Sequence, residues 1–402
     1  MKMAGKNQGP GFIEFILMMA VLMSMTALSI DTMLPALPGI GKDLGVAHAN
    51  DVQLVISTLI LGLSLGQLVF GPVSDSAGRK PALIAGAVLF ILGTMLCLIS
   101  NRFGVMLIGR VVQGIGVAGP RSVVVALIRD RFEGRTMAKA MSSIMSIFIV
   151  IPAIAPALGQ GILMVAGWRS IFGTLLGMAV LITIWFSWRQ PETLLPADRI
   201  PFSLRRIARA FAEVGRNRVA LGYTLVAGLV MGSFFAYLNS AQQIFQEIYG
   251  LGSRFPIYFG ILALSLGGAS FLNARIVMRF GTRKIVRGAL KTLVAVSVIY
   301  LATLYWMGGN SPLWMLMPCL MVTFFCIGFL FGNLNAIAMK PMGHIAGTAS
   351  AVVGSLSAFM AVPLAAFIGR CYNGTILPLI GGFAVLSTLS LIVIHWADQS
   401  KK

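Results

Sequence analysis

Gly71-Pro-Val-Ser-Asp75-Ser-Ala-Gly78-Arg79-Lys80-Pro81 is a short polar segment between two long apolar runs. Glycine and proline punctuate it as a tight turn. Asp75, Arg79 and Lys80 are charges that hydrocarbon does not tolerate unpaired. The segment therefore reads as a hairpin between two membrane-spanning helices, and its two basic residues place it on the cytoplasmic side.

The surrounding composition agrees. The chain is 57% hydrophobic and 11% charged, against roughly 25% charged in an ordinary soluble domain. Its formal charge of +19 raises the question of a nucleic-acid partner. The basic residues answer it by clustering in loops on one side: Arg79/Lys80, Arg129 to Lys139, Arg189 to Arg218 and Arg279 to Arg287. That asymmetry is topological, so no nucleic acid is expected. Cys97, Cys319, Cys326 and Cys371 show no paired spacing, and neither disulfides nor a metal site is expected.

Hydropathy predicts an all-α membrane protein of twelve transmembrane helices, at about 12–36, 52–73, 81–100, 103–127, 140–165, 169–188, 219–245, 255–278, 285–307, 312–338, 345–369 and 376–396. Each is long enough for a hydrocarbon core of roughly 30 Å. Lys2 and Lys6 precede the first run, which is longer than a signal-peptide core and reads as a retained helix with its N-terminus inside. The even count puts Lys401 and Lys402 inside as well. The polar stretch 189–218, with Pro191, Pro196 and Pro201 and an amphipathic Arg-rich piece from Leu204, divides the chain into six-helix bundles 1–188 and 219–402. A shift of 203 positions lays Gly78 on Gly281, Gly71 on Ala274 and Lys80 on Arg283, so the bundles are pseudo-symmetric repeats. The acid is lost in the second copy, where Asp75 aligns with Met278. Two such bundles suit a transporter with its site at their interface.

The hairpin Gly71 to Pro81 resembles the signature between helices two and three of the major facilitator superfamily. Ser29-Ile-Asp31-Thr-Met-Leu-Pro35-Ala-Leu-Pro38 resembles the end of helix one in its twelve-helix drug:proton antiporters, and Arg110-Val-Val-Gln113-Gly114-Ile-Gly116 the helix-four basic motif. Pro152-Ala-Ile-Ala-Pro156-Ala-Leu-Gly159, Gly167-Trp168-Arg-Ser-Ile-Phe172 and Phe245-Gln-Glu-Ile-Tyr-Gly250 are similar to the bicyclomycin/chloramphenicol-resistance branch. The helix-five motif departs from the antiporter pattern of Gly-Pro, two residues, then Gly-Gly, since it reads Ala155-Pro156-Ala-Leu-Gly159-Gln160. The resemblance implies the major facilitator fold, alternating access, a proton gradient in place of any cofactor, and a monomer in a bacterial inner membrane.

Ionisable groups inside spans are functional candidates by default. Asp31 follows an apolar helix with no other acid after Glu14. Burial favours its protonated form and a neighbouring cation its carboxylate, so a group poised between them exchanges a proton. The plain alternative is a solvated helix-end acid beside Pro35 and Pro38. The resemblance has Arg110 face the cavity and interact with that acid or its relay, helped by Gln113, and burial of an arginine demands some partner. The plain alternative is an arginine that pins helices together. Arg121 lies close to three turns beyond Arg110, about 16 Å along the same face. It either extends a cationic stripe suited to anionic or zwitterionic substrates or snorkels to the surface. The resemblance makes helices one, four, seven and ten cavity-lining, so Gln113, Arg121, Tyr237, Asn239, Gln242, Gln243, Asn333 and Asn335 are candidate cavity or substrate contacts, with interhelical hydrogen bonding the bland reading for the amides. It also pairs Arg79 with Asp130, sets Asp75 against a helix N-terminus, and makes Gly71, Asp75, Gly78, Arg79 and Asp130 a gate that closes the inside. Pro152, Pro156 and Gly159 should give helix five its bend and close packing.

No phosphate loop, metal pair or catalytic triad appears, with His48, His344 and His395 the only histidines. Export of small amphipathic molecules against protons is the leading expectation. Nutrient import by symport or facilitation is the alternative that the altered helix-five motif suggests, and a non-transporting receptor the third.

Overall fold

Hydrocarbon offers a backbone no water to bond to, so a spanning chain must satisfy itself by coiling. The computed structural model describes residues 9–399, and these contain helices and no strand. The N-terminal half is α1 (Phe12–Asp31), a short α2 (Leu37–Asp43), α3 (Leu54–Ala77), α4 (Arg79–Leu98), α5 (Phe103–Arg131), α6 (Gly134–Ala166) and α7 (Arg169–Arg189). After a stretch holding one 3-10 turn come α8 (Leu204–Arg216), then α9 (Arg218–Gln242), α10 (Phe255–Phe280), α11 (Thr282–Trp306), α12 (Leu313–Met339), α13 (Ala346–Arg370) and α14 (Leu377–Asp398). Lys2, Lys6, Lys401 and Lys402 lie outside the described residues.

Eleven apolar stretches among these residues are long enough to cross a membrane, the longest being the 58 residues Leu313–Arg370. That stretch is α12 and α13 joined by a 3-10 segment, Lys340–Ile345, with Met342 out of helical geometry. The first span ends earlier than the expected residue 36. α1 stops at Asp31 and gives way to a 3-10 turn, Leu34–Ala36, and α2. Pro35 and Pro38 lack the NH groups that would carry the helix onward.

Large apolar side chains such as Leu92, Leu181, Ile184, Phe271 and Ile299 sit exposed on the outer faces of α4, α7, α10 and α11. Arg110, Gln113, Asn239 and Asn333 are buried. That inversion suits a lipid surround. One apolar core lies within the N-terminal half around Phe15, Phe90, Leu127 and Phe186. A second lies within the C-terminal half around Tyr223, Leu290, Leu334 and Val353. A third draws on both, packing Met33, Val55 and Phe172 with Tyr237, Phe324 and Ile368. The halves are thus fused at one face, where α1 ends, and hold separate cores toward the face of the Gly71–Pro81 hairpin.

Gly78 turns that hairpin with φ of +116°, and its repeat partner Gly281 turns the second with φ of +77°. Both adopt a backbone region that side chains disfavour. In α8, Ala210 and Val214 are buried while Arg205, Arg206 and Arg209 are exposed, as an amphipathic helix requires.

Candidate functional site

Where the two halves part, a cavity of about 660 Å³ runs between them from Asp31, at the end of α1, to Asp75, Arg129 and Asp130 at the hairpin face. Its walls are apolar and aromatic, with Phe234, Phe235, Phe259, Phe324 and Phe331 on the C-terminal side. Its size and lining match small-molecule sites in general.

At its closed end Asp31 is 5% exposed. No arginine, lysine or histidine nitrogen lies within 4.0 Å of it among the described residues. Tyr237 lines the same end, packed edge-on against Phe324 at 4.6 Å and stacked on Phe259 at 5.8 Å. Among the described residues its buried hydroxyl has no partner, and neither has the hydroxyl of cavity-lining Thr26. Close packing holds Asp31 in place. A Cβ added to Gly159 of α6 would stand 2.1 Å from the carbonyl oxygen of Thr32, so this glycine lets α6 touch the backbone just past Asp31. Pro152, one face around, lines the cavity, and Pro156 is buried; α6 is helical across both.

Arg110 corrects an expectation. It is fully buried and does not line the cavity. Its Nε donates to the Val55 carbonyl at 2.8 Å, one Nη to Gln113 Oε1 at 2.7 Å and the other to the Ser29 carbonyl at 3.0 Å. The reason lies where α1 unwinds: the Met33 NH bonds back to Ile30 rather than Ser29, freeing the Ser29 carbonyl for the guanidinium. Arg110 thus grips the backbone two residues before Asp31 and bonds to carbonyl and amide oxygens, not to the acid.

Five expected cavity or substrate residues, Gln113, Asn239, Gln242, Gln243 and Asn333, also lie outside the cavity lining. Gln113 is buried between Arg110 and Thr94, to which it donates at 2.8 Å. Asn239 donates to Ser57 at 3.0 Å, Gln242 to Gln246 at 3.1 Å, and Asn333 to Asn273 at 2.8 Å. A buried amide must find a partner; Asn239 and Asn333 find one on a neighbouring helix, and Gln242 finds one a turn further along its own helical run. Of the remaining candidates, Arg121, Tyr237 and Asn335 line the cavity. Gln67 of α3 lines it too; as the lone amide in an apolar run, it carried a signal that the sequence reading passed over.

At the hairpin face Arg79 donates from Nε to Asp130 Oδ2 at 3.0 Å and also pairs with Asp75. All three residues belong to the N-terminal half and, with Gly71, line the mouth of the cavity. Their bonds are intact while the cavity reaches this face, so they do not tie the halves together here, contrary to a gate between bundles. The carboxylate on the N-terminus of α4 is not Asp75 but Glu192, which accepts the backbone NH of Arg79 and of Lys80, each at 3.0 Å. Partial burial works to raise its pKa, but the backbone NH groups of Leu194, Arg79, Lys80 and Thr193 outweigh it and hold the carboxyl below the usual range. Asp75 instead shares a small gap with Thr348 in the first turn of α13. In the C-terminal half the missing acid comes from the last helix: Asp398 pairs with Arg287 at 2.6 Å and Arg283 at 3.6 Å.

The opposite face is sealed between halves. Gln53 Nε2 donates to Gln243 Oε1 at 2.5 Å, Gln243 to Asn50 at 2.8 Å, and Asn50 to the Tyr372 carbonyl at 2.9 Å, while Asp51 pairs with Arg370 at 3.1 Å. Gly369 makes room: a Cβ there would stand 1.9 Å from Gln53 Oε1. Gly369→Ala is expected to displace Gln53 and open this face. Spin labels at positions 46 and 373, on a cysteine-free background, should show a longer inter-label distance; an unchanged distribution would count against the seal.

A model of the Major Facilitator Superfamily matches residues 17–366. The chain belongs to that superfamily. An uncharacterised transporter of the same type, YdgK of Bacillus subtilis, is 32% identical over 361 residues, 88% of this chain and 89% of that one. A bicyclomycin resistance protein homologue of Haemophilus influenzae is 28% identical over 400 residues, 96% of each chain. The branch that the motifs resembled is therefore the one in which its named relatives fall. The human organic anion transporter MFSD10 (TETRAN) has the same fold, with a TM-score of 0.72 at 18% identity over 96% of this chain and 100% of that one. Superfamily members are transporters rather than enzymes, need no cofactor and act on small molecules. Among the described residues no cluster of metal-binding side chains occurs.

Proposed function

We propose that this chain is a proton-coupled exporter of small amphipathic molecules, antibiotics among them, working by alternating access. The observation that carries the reading is the carboxyl of Asp31, buried at the closed end of the cavity and sharing that cavity with an aromatic wall. Such a group can hold a proton on one side of the membrane and yield it on the other. Antibiotic-resistance names among the relatives favour export over nutrient import. The hairpin face is assigned to the cytoplasm from its basic residues, which makes this conformation inward-open and puts both termini inside. In this reading all twelve long helices span a bacterial inner membrane, 1–188 and 219–402 rock as units about the linker 189–218, and the protein works as a monomer.

Energetics allow it. One proton entering down about 100 mV supplies about 2.3 kcal/mol for outward transport. The reading is tested in proteoliposomes bearing a pH gradient and a trapped pH-sensitive dye. Adding amphipathic antibiotics such as chloramphenicol should discharge the gradient for at least one compound, and energised inside-out vesicles should accumulate that compound. A gradient untouched by every compound of a broad panel would overturn it.

A further inference from the structure

The charges of the cavity are unequally served. Asp75, Arg79 and Asp130 satisfy one another at the mouth, and Arg110 is walled off. Deeper in, Asp31 and Arg121 stand alone. Arg121 is exposed in the cavity, and no carboxylate comes within 4.0 Å of it among the described residues. It lies ten residues before the end of α5, about 15 Å of helix from the hairpin face. Its side chain does not lean toward that face either, because helical Cα–Cβ bonds tilt toward the helix N-terminus. Snorkelling is therefore a poor account of it.

The two charges lean toward each other. α1 starts where α5 ends, with Phe12 packed on Phe132 at 5.5 Å, so the helices are antiparallel and the tilt brings Asp31 and Arg121 together. Arg110 fixes the vertical scale, since it bonds to Ser29. Eleven residues of α5 and two of α1, less the reach of both side chains, leave a gap on the order of 10 Å between the charges. The same cavity is lined by the rings of Phe234, Tyr237 and Phe324 and by the hydroxyls of Thr26 and Tyr237, which have no partner among the described residues.

We propose that Arg121 seats an acidic group of the transported molecule, and that the preferred substrates are dipolar: acid on Arg121, flat apolar body across the aromatic wall, basic group at Asp31. This deepens the transport reading and rests on it. A basic group and a proton cannot both occupy Asp31, so loading from the hairpin face expels the proton and makes the cycle an exchange.

The test is equilibrium binding to the purified full-length chain in lipid nanodiscs, which needs no gradient. The probe is 6-(aminomethyl)-2-naphthoate, compared with its methyl ester, which lacks the acid, and its N-acetyl form, which lacks the base. The parent should bind about tenfold or more tighter than either, the scale of a charge-assisted contact. Arg121→Gln should lower parent affinity to that of the ester and leave the ester unchanged, while Arg121→Lys restores part of the loss. Equal binding of parent and either derivative, undiminished binding of the parent by Arg121→Gln, or no binding of the parent would each overturn the proposal. Binding in this order by a protein that moves no protons would overturn only the transport reading; proton-coupled export without it would overturn only the dipolar assignment.

Discussion

Asp31→Asn is expected to abolish substrate-driven proton release in proteoliposomes, leaving at most the signal of empty vesicles, while the protein unfolds at an unchanged temperature or a higher one. The first half follows because, among the described residues, no other carboxylate lies at the closed end of the cavity. An amide of the same shape keeps the packing against Thr32 and Gly159 but has no proton to exchange. The second half follows from the cost of holding an ionisable group in a buried site without a counterion, about 1–3 kcal/mol for a buried unpaired polar group and more when charged. Stability and coupling should therefore move apart. A variant that still releases protons on adding substrate would remove Asp31 from the mechanism, and one that lost coupling only by unfolding would leave its role structural.

Arg110 gives the opposite pairing of effects. Arg110→Ala deletes three hydrogen bonds, takes a donor from the Ser29, Val55 and Gln113 oxygens and opens a void in the fully buried contact of α1, α3 and α5. The loss should be about 1–3 kcal/mol, the usual cost of leaving a buried acceptor without its donor. Arg110→Lys should recover only a minor part, because an ammonium is a point and cannot span acceptors placed around a planar fork. Thermal unfolding in nanodiscs reads the stability. Arg110 is a positioning residue in this account, so whatever Arg110→Lys protein folds should show a shifted pH profile of proton release, since the carbonyl it holds is two residues from Asp31. An unchanged unfolding temperature in both variants would rule out the network as drawn.

The helices were legible because membrane spans announce themselves twice, by length of apolar run and by the Gly, Pro and Arg that punctuate the ends. Predicted and observed limits differ by a few residues in most spans. The largest discrepancies lie where the signal is tertiary: Pro35 and Pro38 let α1 stop at Asp31, and α5 and α6 extend past the hydrocarbon into basic turns. Which polar side chains face the cavity was much less legible. In α9, 18 of 25 residues are buried, so no polar stripe marks the cavity side, and Asn239 and Gln242 read the same as Tyr237. Arg110 and Arg121 share a helical face by spacing, yet one is enclosed by α1 and α3 and the other is free, a difference set by packing and not by phase. Glu192 was missed because it caps a helix 113 residues away. Asp398 was missed because the acid of the second hairpin was sought at position 278, inside the hairpin.

The seal opposite the hairpin is built mainly from uncharged amides, with Asp51–Arg370 the one ion pair across it among the described residues. Neutral hydrogen bonds are indifferent to ionic strength, whereas attraction between charges a Debye length apart is damped at about 8 Å in physiological salt. The face that meets the outside medium, in the proposed orientation, is thus latched by the kind of bond that changing salinity does not loosen. The charges needed for recognition stay inside a narrow chamber where the composition of that medium has least influence.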